Sequence, residues 1–334
     1  MPNPAIFSTK EKRVIEKVIR FKDFPYKPFR TKLYSVKELM AGYPRKTLDQ
    51  RIADHYKAHN KNMPDVHEAL AQRIHDHGID QGLKKFVTPS AGPSKRVVGV
   101  MGGHSVLRTD PSYVAMAQIA WKLAQKQFVI VTGGGPGIME AANLGAYLAT
   151  RSADELNQSI EILKKFPDYK ANPQGYVEAA KTVRTSFTDS GLSLAIPTWA
   201  YSDEPTGQFS SAIGKYFSNS IREDGLLAIA AWGVIFAPGS SGTLQEVFQD
   251  IAHNSYWSFG SRGPMVFYSS FYTDRPSIFD VVRARADKDG YADMVGVCST
   301  VDEIVQFILT HPMKPESTVA PKRTFGVSNS LLHI

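Results

Sequence analysis

Short apolar runs recur through the middle of the chain and predict a series of buried β-strands. Each run holds about five residues without polar alternation, which is the pattern of a sheet covered on both faces. The predicted strands are residues 96–101, 128–132, 192–196, 233–237, 264–268 and a weaker 294–298, and helical patterns alternate with them at 111–126, 137–149, 208–230, 243–256, 276–287 and 301–310. This alternation predicts an α/β fold with a doubly wound parallel sheet, Rossmann-like in kind.

A helical, connective region precedes the predicted sheet. Residues 65–79 form an amphipathic pattern for which Asp65 is the expected N-cap. The apolar residues spaced i, i+4 and i+8 are expected to face the core, namely Val66, Leu70 and Ile74. Three histidines lie nearby, and because His75 and His77 point to different helix faces we expect them and His67 to be ordinary surface residues.

Composition along the chain predicts a helical N-terminal extension and one α/β domain. The turn-rich residues 88–94 separate a basic extension, residues 1–92, from a Rossmann-like domain at 93–312 and a tail at 313–334. Residues 151–191 interrupt the strand and helix rhythm as a long polar insertion. Such insertions are functional lids or surface excursions, and the sequence leaves both open.

Charge and cysteine content narrow the function classes. The net charge is +7, and residues 1–96 hold 20 Lys+Arg against 10 Asp+Glu, but the basic residues are scattered without a sustained run. This pattern predicts a solvated or subunit-facing surface rather than a nucleic-acid interface. The single cysteine, Cys298, lies in an apolar run and is expected to be a buried structural thiol. With no apolar run near the ~20 residues needed to span a bilayer, the expectation is a cytoplasmic protein with no membrane partner.

Three loops that follow predicted strands carry the candidate chemistry. They are 102–105, with Gly-Gly-His-Ser; 133–137, with Gly-Gly-Gly-Pro-Gly; and 238–243, with Pro-Gly-Ser-Ser-Gly-Thr. Glycine-rich turns at helix N-termini let backbone N–H groups approach an anion closely. Ile138 stands where a dinucleotide fingerprint needs its last glycine, and neither of the longer loops ends in the Lys-Ser/Thr pair of a P-loop. Recognition of a mononucleotide or a sugar phosphate is therefore the prediction.

The motifs resemble the LOG-type phosphoribohydrolases, often mislabelled lysine decarboxylases. The family pattern PGGxGTxxE reads Pro-Gly-Ser-Ser-Gly-Thr-Leu-Gln-Glu at 238–246, and residues 204–207 look like its E-x-T-G segment. Arg222 follows eighteen residues after Glu204, and Leu-Ala-Ile-Pro at 194–197 is similar to the family's third strand. Residues 102–105 and 132–141 look closer to the bacterial branch that hydrolyses nucleoside 5′-monophosphates. The resemblance spans roughly residues 96–312.

This resemblance implies an N-glycosyl hydrolase without a metal or redox cofactor. Glu246 and Arg222 are the implied catalytic residues, with Glu246 expected in the first turn of its helix. The implied substrate and phosphate contacts are Gly103, His104, Ser105, Gly134, Gly135, Gly137, Met139, Glu140, Glu204, Gly239, Ser240, Ser241, Gly242 and Thr243. A carboxylate beside the ribose suits an oxocarbenium-like transition state.

Three departures from the family pattern stand out. Ser240 stands where relatives keep glycine, Gln245 stands where plant-like members have glutamate, and Arg222 lies one residue farther from Pro238 than in relatives. Ser240 and the long insertion at residues 151–191 make a non-catalytic nucleotide sensor on the same fold the competing hypothesis. Lysine decarboxylation is set aside, because neither glycine loop holds a lysine for pyridoxal phosphate.

The expected partners are a small nucleoside monophosphate and further copies of the chain. The resemblance implies at least a homodimer, with Arg222 and Glu246 near the shared interface. A second argument for a homodimer or higher oligomer is that apolar residues occupy more than one face of two predicted helices, namely Leu226, Leu227, Ile229, Val247, Phe248 and Ile251.

Overall fold

Seven parallel strands form the central sheet of the computed structural model, which describes residues 24–60, 63–188, 190–201, 204–274 and 277–316. The strand order is β4-β3-β2-β1-β5-β7-β8. The strands are β1 (Arg96–Met101), β2 (Phe128–Thr132), β3 (Ser193–Ala195), β4 (Ala212–Ile213), β5 (Val234–Phe236), β7 (Met265–Tyr268) and β8 (Val295–Cys298), and a separate antiparallel pair joins β6 (Ser261–Arg262) to β9 (Lys314–Pro315). The predicted doubly wound parallel sheet is confirmed.

Helices cover both faces of this sheet. In the described ranges they are α1 (Val36–Leu39), α2 (Leu48–Asn60), α3 (Val66–Val87), α4 (Pro111–Gln125), α5 (Ile138–Tyr147), α6 (Ala153–Lys164), α7 (Pro173–Ser186), α8 (Asn219–Ile229), α9 (Ser241–Tyr256), α10 (Ile278–Lys288) and α11 (Val301–Thr310). One hydrophobic cluster joins α1–α3 and α8–α10 to the sheet, and a second joins α4–α7 and α11 to the other face. The two clusters explain why the strands are uninterrupted apolar runs. None of the helices in these ranges is long and apolar enough to cross a membrane.

The strand order reverses at β1, which lies between β2 and β5. The chain steps from β1 through β2 and β3 to β4 on one side, and then returns to place β5 on the other side of β1. In open parallel sheets the crevice at such a switch point, beyond the carboxyl ends of the strands, is where ligands bind. The three predicted loops follow β1, β2 and β5, so all three lie at this crevice.

One predicted helix is wrong over its first half. The helical pattern at 208–230 becomes the short edge strand β4 and an irregular segment, and α8 begins only at Asn219. The buried residues Phe209, Ile213 and Tyr216 recur at helical spacing although they lie in extended or irregular chain. Pairing of β4 with β3 fixes this segment, so tertiary contacts override the local pattern.

The amphipathic helix near the N-terminus begins as predicted but buries a different face. Asp65 caps α3 by accepting hydrogen bonds from the backbone N–H groups of its second and third residues. Val66 is 72% exposed and Leu70 is 40% exposed, whereas His75 is fully buried. The predicted stripe is therefore correct only at Ile74, and the expectation of a surface histidine is wrong at His75. Polar residues occupy much of the inward face of α3, so an apolar pattern could not locate that face.

The polar insertion forms two packed helices. Helix α6 begins with a capping box between Ser152 and Glu155, and its apolar face is buried together with that of α7 against the sheet. Residues 24–87 likewise share the other hydrophobic cluster with the sheet. The division near residue 92 stays a prediction.

The structure changes the argument for an oligomer and confirms the buried thiol. Cys298 is buried in the second cluster, as expected. Most of the apolar residues taken as a sign of association pack inside the chain, namely Leu226, Leu227, Ile229, Val247 and Ile251. Phe248 is the member of this set that is exposed, at 46%. That argument is therefore wrong in detail, while the oligomeric state itself stays a prediction.

Candidate active site

Three loops meet at the sheet's switch point and are joined by backbone hydrogen bonds. The loop after β1 (residues 102–105) lies in the middle: the Gly103 N–H donates to Pro238 O at 2.9 Å, and its carbonyl accepts from the Ile138 N–H at 3.2 Å. Gly137 has φ 69°, and a methyl group there would lie 2.4 Å from Gly103 O. Glycine at 137 is therefore required for the loop after β2 (residues 133–137) to approach its neighbour.

The loop after β5 (residues 238–243) leads into α9 with its polar groups exposed. Ser240 is the N-cap, and its hydroxyl makes no capping hydrogen bond. Ser240, Ser241 and Gly242 are all exposed, so the N-terminal end of α9 lies at the surface of the chain. Because the first N–H groups of a helix have no intrahelical partners, this end of α9 can bind an anion.

The serine in place of the family's second glycine fits the backbone without strain. Ser240 has φ −100°, a conformation open to any residue. At Gly239, in contrast, a methyl group would lie 2.2 Å from Thr243 Oγ1, and Thr243 is buried. The loop therefore needs glycine at 239 and accepts serine at 240.

Arg222 and Glu246 meet behind these loops. Arg222 is buried on α8, its Nε donates to Ile196 O at 2.7 Å, and its Nη1 lies 4.0 Å from Glu246 Oε1. A methyl group at Gly133 would lie 2.1 Å from Arg222 Nη2, so the guanidinium runs directly under the loop after β2. The two predicted catalytic residues are thus brought together beside the glycine loops.

Burial changes the proton affinity of Glu246. Burial raises the pKa of Glu246 to about 7, with Arg222 opposing the shift and Glu223 adding to it. Helix α9 begins at Ser241, so Glu246 lies in the second turn of the helix. The prediction that Glu246 lies in the first turn is therefore wrong. A carboxyl group with a pKa near neutrality is suited to exchange protons with a substrate or a water molecule.

Glu223 is a second carboxylate at this site, and sequence reasoning missed it. Its Oε1 lies 3.7 Å from Arg222 Nη1 and accepts from Asn219 Nδ2 at 2.8 Å, while its Oε2 accepts from Gln245 Nε2 at 2.6 Å. Gln245 was noted only as a departure from the family pattern. A glutamate at 245 would meet Glu223 with like charge, whereas the amide donates to it.

Glu204 lies on the other side of the loop after β2. A methyl group at Gly135 would lie 2.7 Å from both Glu204 Oε2 and the Met139 terminal carbon, so these two side chains cover that loop. Burial raises the pKa of Glu204, and the charges of His104 and Arg222 oppose the shift. The Glu204 carboxylate accepts no hydrogen bond from the residues that the structure describes, which leaves it open to a ligand.

Glu140, in contrast, has protein partners for both oxygens. Arg108 donates to it from Nε at 2.8 Å and from Nη2 at 2.6 Å. The hydroxyls of Tyr113 and Tyr176 donate at 3.0 and 2.7 Å. Arg108 is fully buried and also bonds to Phe166 O and Tyr176 O. This network ties α5 to the insertion, and a ligand would have to compete with it for Glu140.

The remaining predicted contacts line the same crevice. Gly134 has φ 76° and donates its N–H to Thr132 Oγ1 at 3.0 Å, which holds the loop after β2 in its turn. His104 is partly exposed and Ser105 is exposed in the loop after β1. Within the described ranges, no group of three His, Cys, Asp or Glu side chains is placed to hold a metal ion.

Comparisons with known proteins give one family match. Residues 95–151 match the model of the SLOG cluster4 family. This segment holds β1, α4, β2 and α5, and with them two of the three loops. The match spans less than half of the chain and supports the SLOG/LOG superfamily rather than any one branch of it. No curated protein is detectably similar to the chain.

Solved structures with a related arrangement have low identity. A molybdenum cofactor binding protein from Rippkaea orientalis is 17% identical with a TM-score of 0.39, and the alignment covers 66% of this chain and 98% of that one. The molybdenum cofactor carrier protein from Chlamydomonas reinhardtii is 15% identical with a TM-score of 0.39, covering 65% and 97%. A structural genomics target, TM1055, is 18% identical with a TM-score of 0.38, covering 64% and 99%. At TM-scores below 0.5 these likenesses carry no argument about function, so the family match over residues 95–151 is the finding that bears on identity.

Proposed function

We propose that the protein hydrolyses the N-glycosidic bond of nucleoside 5′-monophosphates to a free base and ribose 5-phosphate. The observation that carries the proposal is the pairing of Glu246 with Arg222 at 4.0 Å, directly behind glycine loops suited to a phosphate. The raised pKa of Glu246 supports a role in proton transfer. The family match to the segment with two of the loops agrees with a nucleotide ligand.

The phosphate would bind at the N-terminus of α9. The backbone N–H groups of the exposed residues Ser241 and Gly242 and the hydroxyl of Ser240, which makes no capping hydrogen bond, are the donors proposed there. Binding the 5′-phosphate fixes the ribose relative to Glu246 and so lowers the entropic part of the barrier. A nucleoside without the phosphate should therefore be a poor substrate.

The chemical step uses Glu246 as a base and a source of negative charge. A water oxygen attacks the anomeric carbon, the bond from that carbon to the base nitrogen breaks, and the departing base keeps the electron pair and receives, by way of Glu246, the proton that the water gives up. The carboxylate of Glu246 accepts a proton from the water and stabilises the positive charge that develops on the sugar. Ribose 5-phosphate and the base account for all atoms of the nucleotide and the water.

Two further side chains would orient the substrate. Glu204, whose carboxylate has no hydrogen bond within the described residues, is placed to accept from the ribose hydroxyls across the loop after β2. The guanidinium of Arg222 is held by Ile196 O through Nε, which leaves its other nitrogens for Glu223, Glu246 and the ligand. Arginine binds such groups through a rigid planar fork of donors.

The experiment compares wild type with Glu246→Gln on AMP, GMP, IMP, CMP and UMP, with free base measured by chromatography. We expect base release by wild type and a loss of turnover of about 10²-fold or more in the variant, with phosphate binding retained. Glu161→Gln is the matched control, because Glu161 is exposed on α6 and, among the described residues, forms an ion pair with Lys164 alone. Tight nucleotide binding without any base release would instead favour the sensor.

We also propose a homodimer, on the resemblance alone. Size-exclusion chromatography with light scattering tests it. Elution as a monomer of the chain mass, 36.9 kDa, would contradict the proposal.

A further inference from the structure

The inward face of α3 is polar and makes specific contacts with the segment that carries Arg222. The buried residues on this face include Glu68, Gln72, His75 and Asp76. Burying polar groups is costly unless they are hydrogen-bonded. Their partners therefore show what this face of the N-terminal region, here residues 24–87, is built to hold.

Asp76 caps the helix that carries Arg222. Its Oδ1 accepts from the Phe217 N–H at 3.0 Å and its Oδ2 from the Ser218 N–H at 2.9 Å. Ser218 is the N-cap of α8 but makes no side-chain capping bond of its own. A carboxylate from α3 thus binds the N–H groups of the N-cap residue and of the residue before it, and its negative charge is favourable at a helix N-terminus.

A buried histidine holds the Asp76 carboxylate in place. His75 Nδ1 donates to Asp76 Oδ1 at 3.1 Å, and the Tyr34 hydroxyl donates to His75 Nε2 at 2.8 Å. The imidazole of His75 is fully buried, and this burial lowers the pKa of His75. The neutral ring therefore links Tyr34 to Asp76 as one chain of hydrogen bonds.

The capped end of α8 is one turn from Arg222. The Arg222 N–H donates to Ser218 O at 3.2 Å, so a shift at the cap is carried to the arginine. Its guanidinium meets Ile196 O at 2.7 Å and Glu246 at 4.0 Å, and these contacts depend on where α8 begins.

Asp49 on α2 makes a matching set of contacts with the Glu204 segment. Its Oδ2 accepts from Thr206 Oγ1 at 2.6 Å, its Oδ1 accepts from Trp199 Nε1 at 2.8 Å, and Lys215 Nζ lies 2.8 Å from Oδ1. Thr206 is two residues after Glu204. The N-terminal region therefore holds chain on both sides of the crevice.

We propose that the N-terminal region is a positioning element of the active site, in which Asp76 places Arg222 and Asp49 places Glu204. The catalytic roles of Arg222 and Glu204 in this proposal rest on the proposed function. The placement of Arg222 by Asp76 does not, and it can be measured without any substrate.

The experiment follows the Arg222 Nε–H signal by NMR in the full chain, with Arg222→Lys used to assign it. Asp76→Asn keeps the size of the side chain, but the amide has no negative charge and has one accepting oxygen instead of two. In Asp76→Asn we expect the Arg222 Nε–H signal to shift. We also expect hydrogen exchange of the backbone N–H groups of Phe217 and Ser218 to become at least about tenfold faster. Asp54→Asn is the matched control, because Asp54 is an exposed carboxylate on α2 paired with Lys46.

A milder variant and a kinetic readout complete the test. Tyr34→Phe removes only the hydroxyl that holds His75. It should move the Arg222 signal in the same direction as Asp76→Asn does, but by a smaller amount. With a nucleotide substrate, Asp76→Asn should lower kcat by up to about 10²-fold, as for a misplaced catalytic group, while KM changes little. An Arg222 signal unchanged in both variants would overturn the proposal. A changed signal in a protein that releases no base would support the positioning role and reject the proposed function.

Discussion

Replacing Glu223 by glutamine should shift the pH dependence of activity to lower pH. Glu223 and Glu246 lie 3.7 and 4.0 Å from the same nitrogen of Arg222. The negative charge of Glu223 is one cause of the raised pKa of Glu246, after burial. Glu223→Gln keeps the shape of the side chain and its bond with Gln245 while removing this charge.

The size of the shift follows from the distance between the two carboxylates. They are at most about 8 Å apart, because both contact one nitrogen. At that distance two unit charges interact by about 2 kcal/mol at an effective dielectric constant of about 20. Since one pKa unit corresponds to about 1.4 kcal/mol, this largest separation corresponds to a shift of about 1.5 units before any screening by Arg222. The Arg222 guanidinium is close to both carboxylates and screens them from each other, so we expect a decrease in the pKa of Glu246 of about 0.5 to 1 unit.

The assay is the pH profile of kcat/KM for a nucleoside 5′-monophosphate. If ionised Glu246 is the base, wild-type activity should rise with pH around the pKa of about 7, and this limb should move to lower pH in Glu223→Gln. The ¹³C NMR titration of the Glu246 carboxyl gives the same shift without turnover. An unchanged limb, or one that moves to higher pH, would refute the assignment of Glu223.

Two further predictions concern stability and phosphate binding. Asp250 is buried, and its Oδ2 has no hydrogen-bond partner in the described ranges. Burial raises the pKa of Asp250 to about 7, so the folded protein loses stability relative to the unfolded chain as pH rises from about 4 to about 7. Asp250→Asn should raise the free energy of unfolding by about 2 to 4 kcal/mol at pH 8 and little at pH 4, as checked by urea denaturation, and no gain at pH 8 would contradict the burial argument. Gly239→Ala should weaken ribose 5-phosphate binding by at least about tenfold in calorimetry, because its methyl group meets Thr243 and displaces the loop, whereas Ser240→Gly, which removes one hydroxyl donor and keeps the loop backbone, should weaken it by a smaller factor. Equal effects at 239 and 240 would show that the contact with Thr243 does not decide the loop geometry.

The fold could be predicted from the sequence because the strands are buried on both faces. Six of the seven strands of the central sheet lie in largely apolar runs, and their predicted and observed bounds differ by at most one residue at each end. The edge strand β4 was missed, because two residues leave no run to detect and their neighbours recur at helical spacing. The short pairing of β4 with β3 is a long-range effect that a local pattern does not contain.

The site was predictable where glycine and motif spacing reflect backbone requirements. Gly137 and Gly239 are glycines because neighbouring atoms leave no room for a side chain. Glu223 and Asp76 could not be found in this way, because their roles arise from contacts between helices far apart in the chain. His75 was misjudged for the same reason: its partners Tyr34 and Asp76 form a buried polar cluster that resembles a surface pattern in sequence.

The most direct test of the account is the product balance for a nucleoside 5′-monophosphate incubated with wild-type protein. We predict free base and ribose 5-phosphate in equal amounts, with formation of both reduced by about 10²-fold or more in Glu246→Gln. Release of inorganic phosphate with the glycosidic bond intact, or equal base release by wild type and Glu246→Gln, would contradict it.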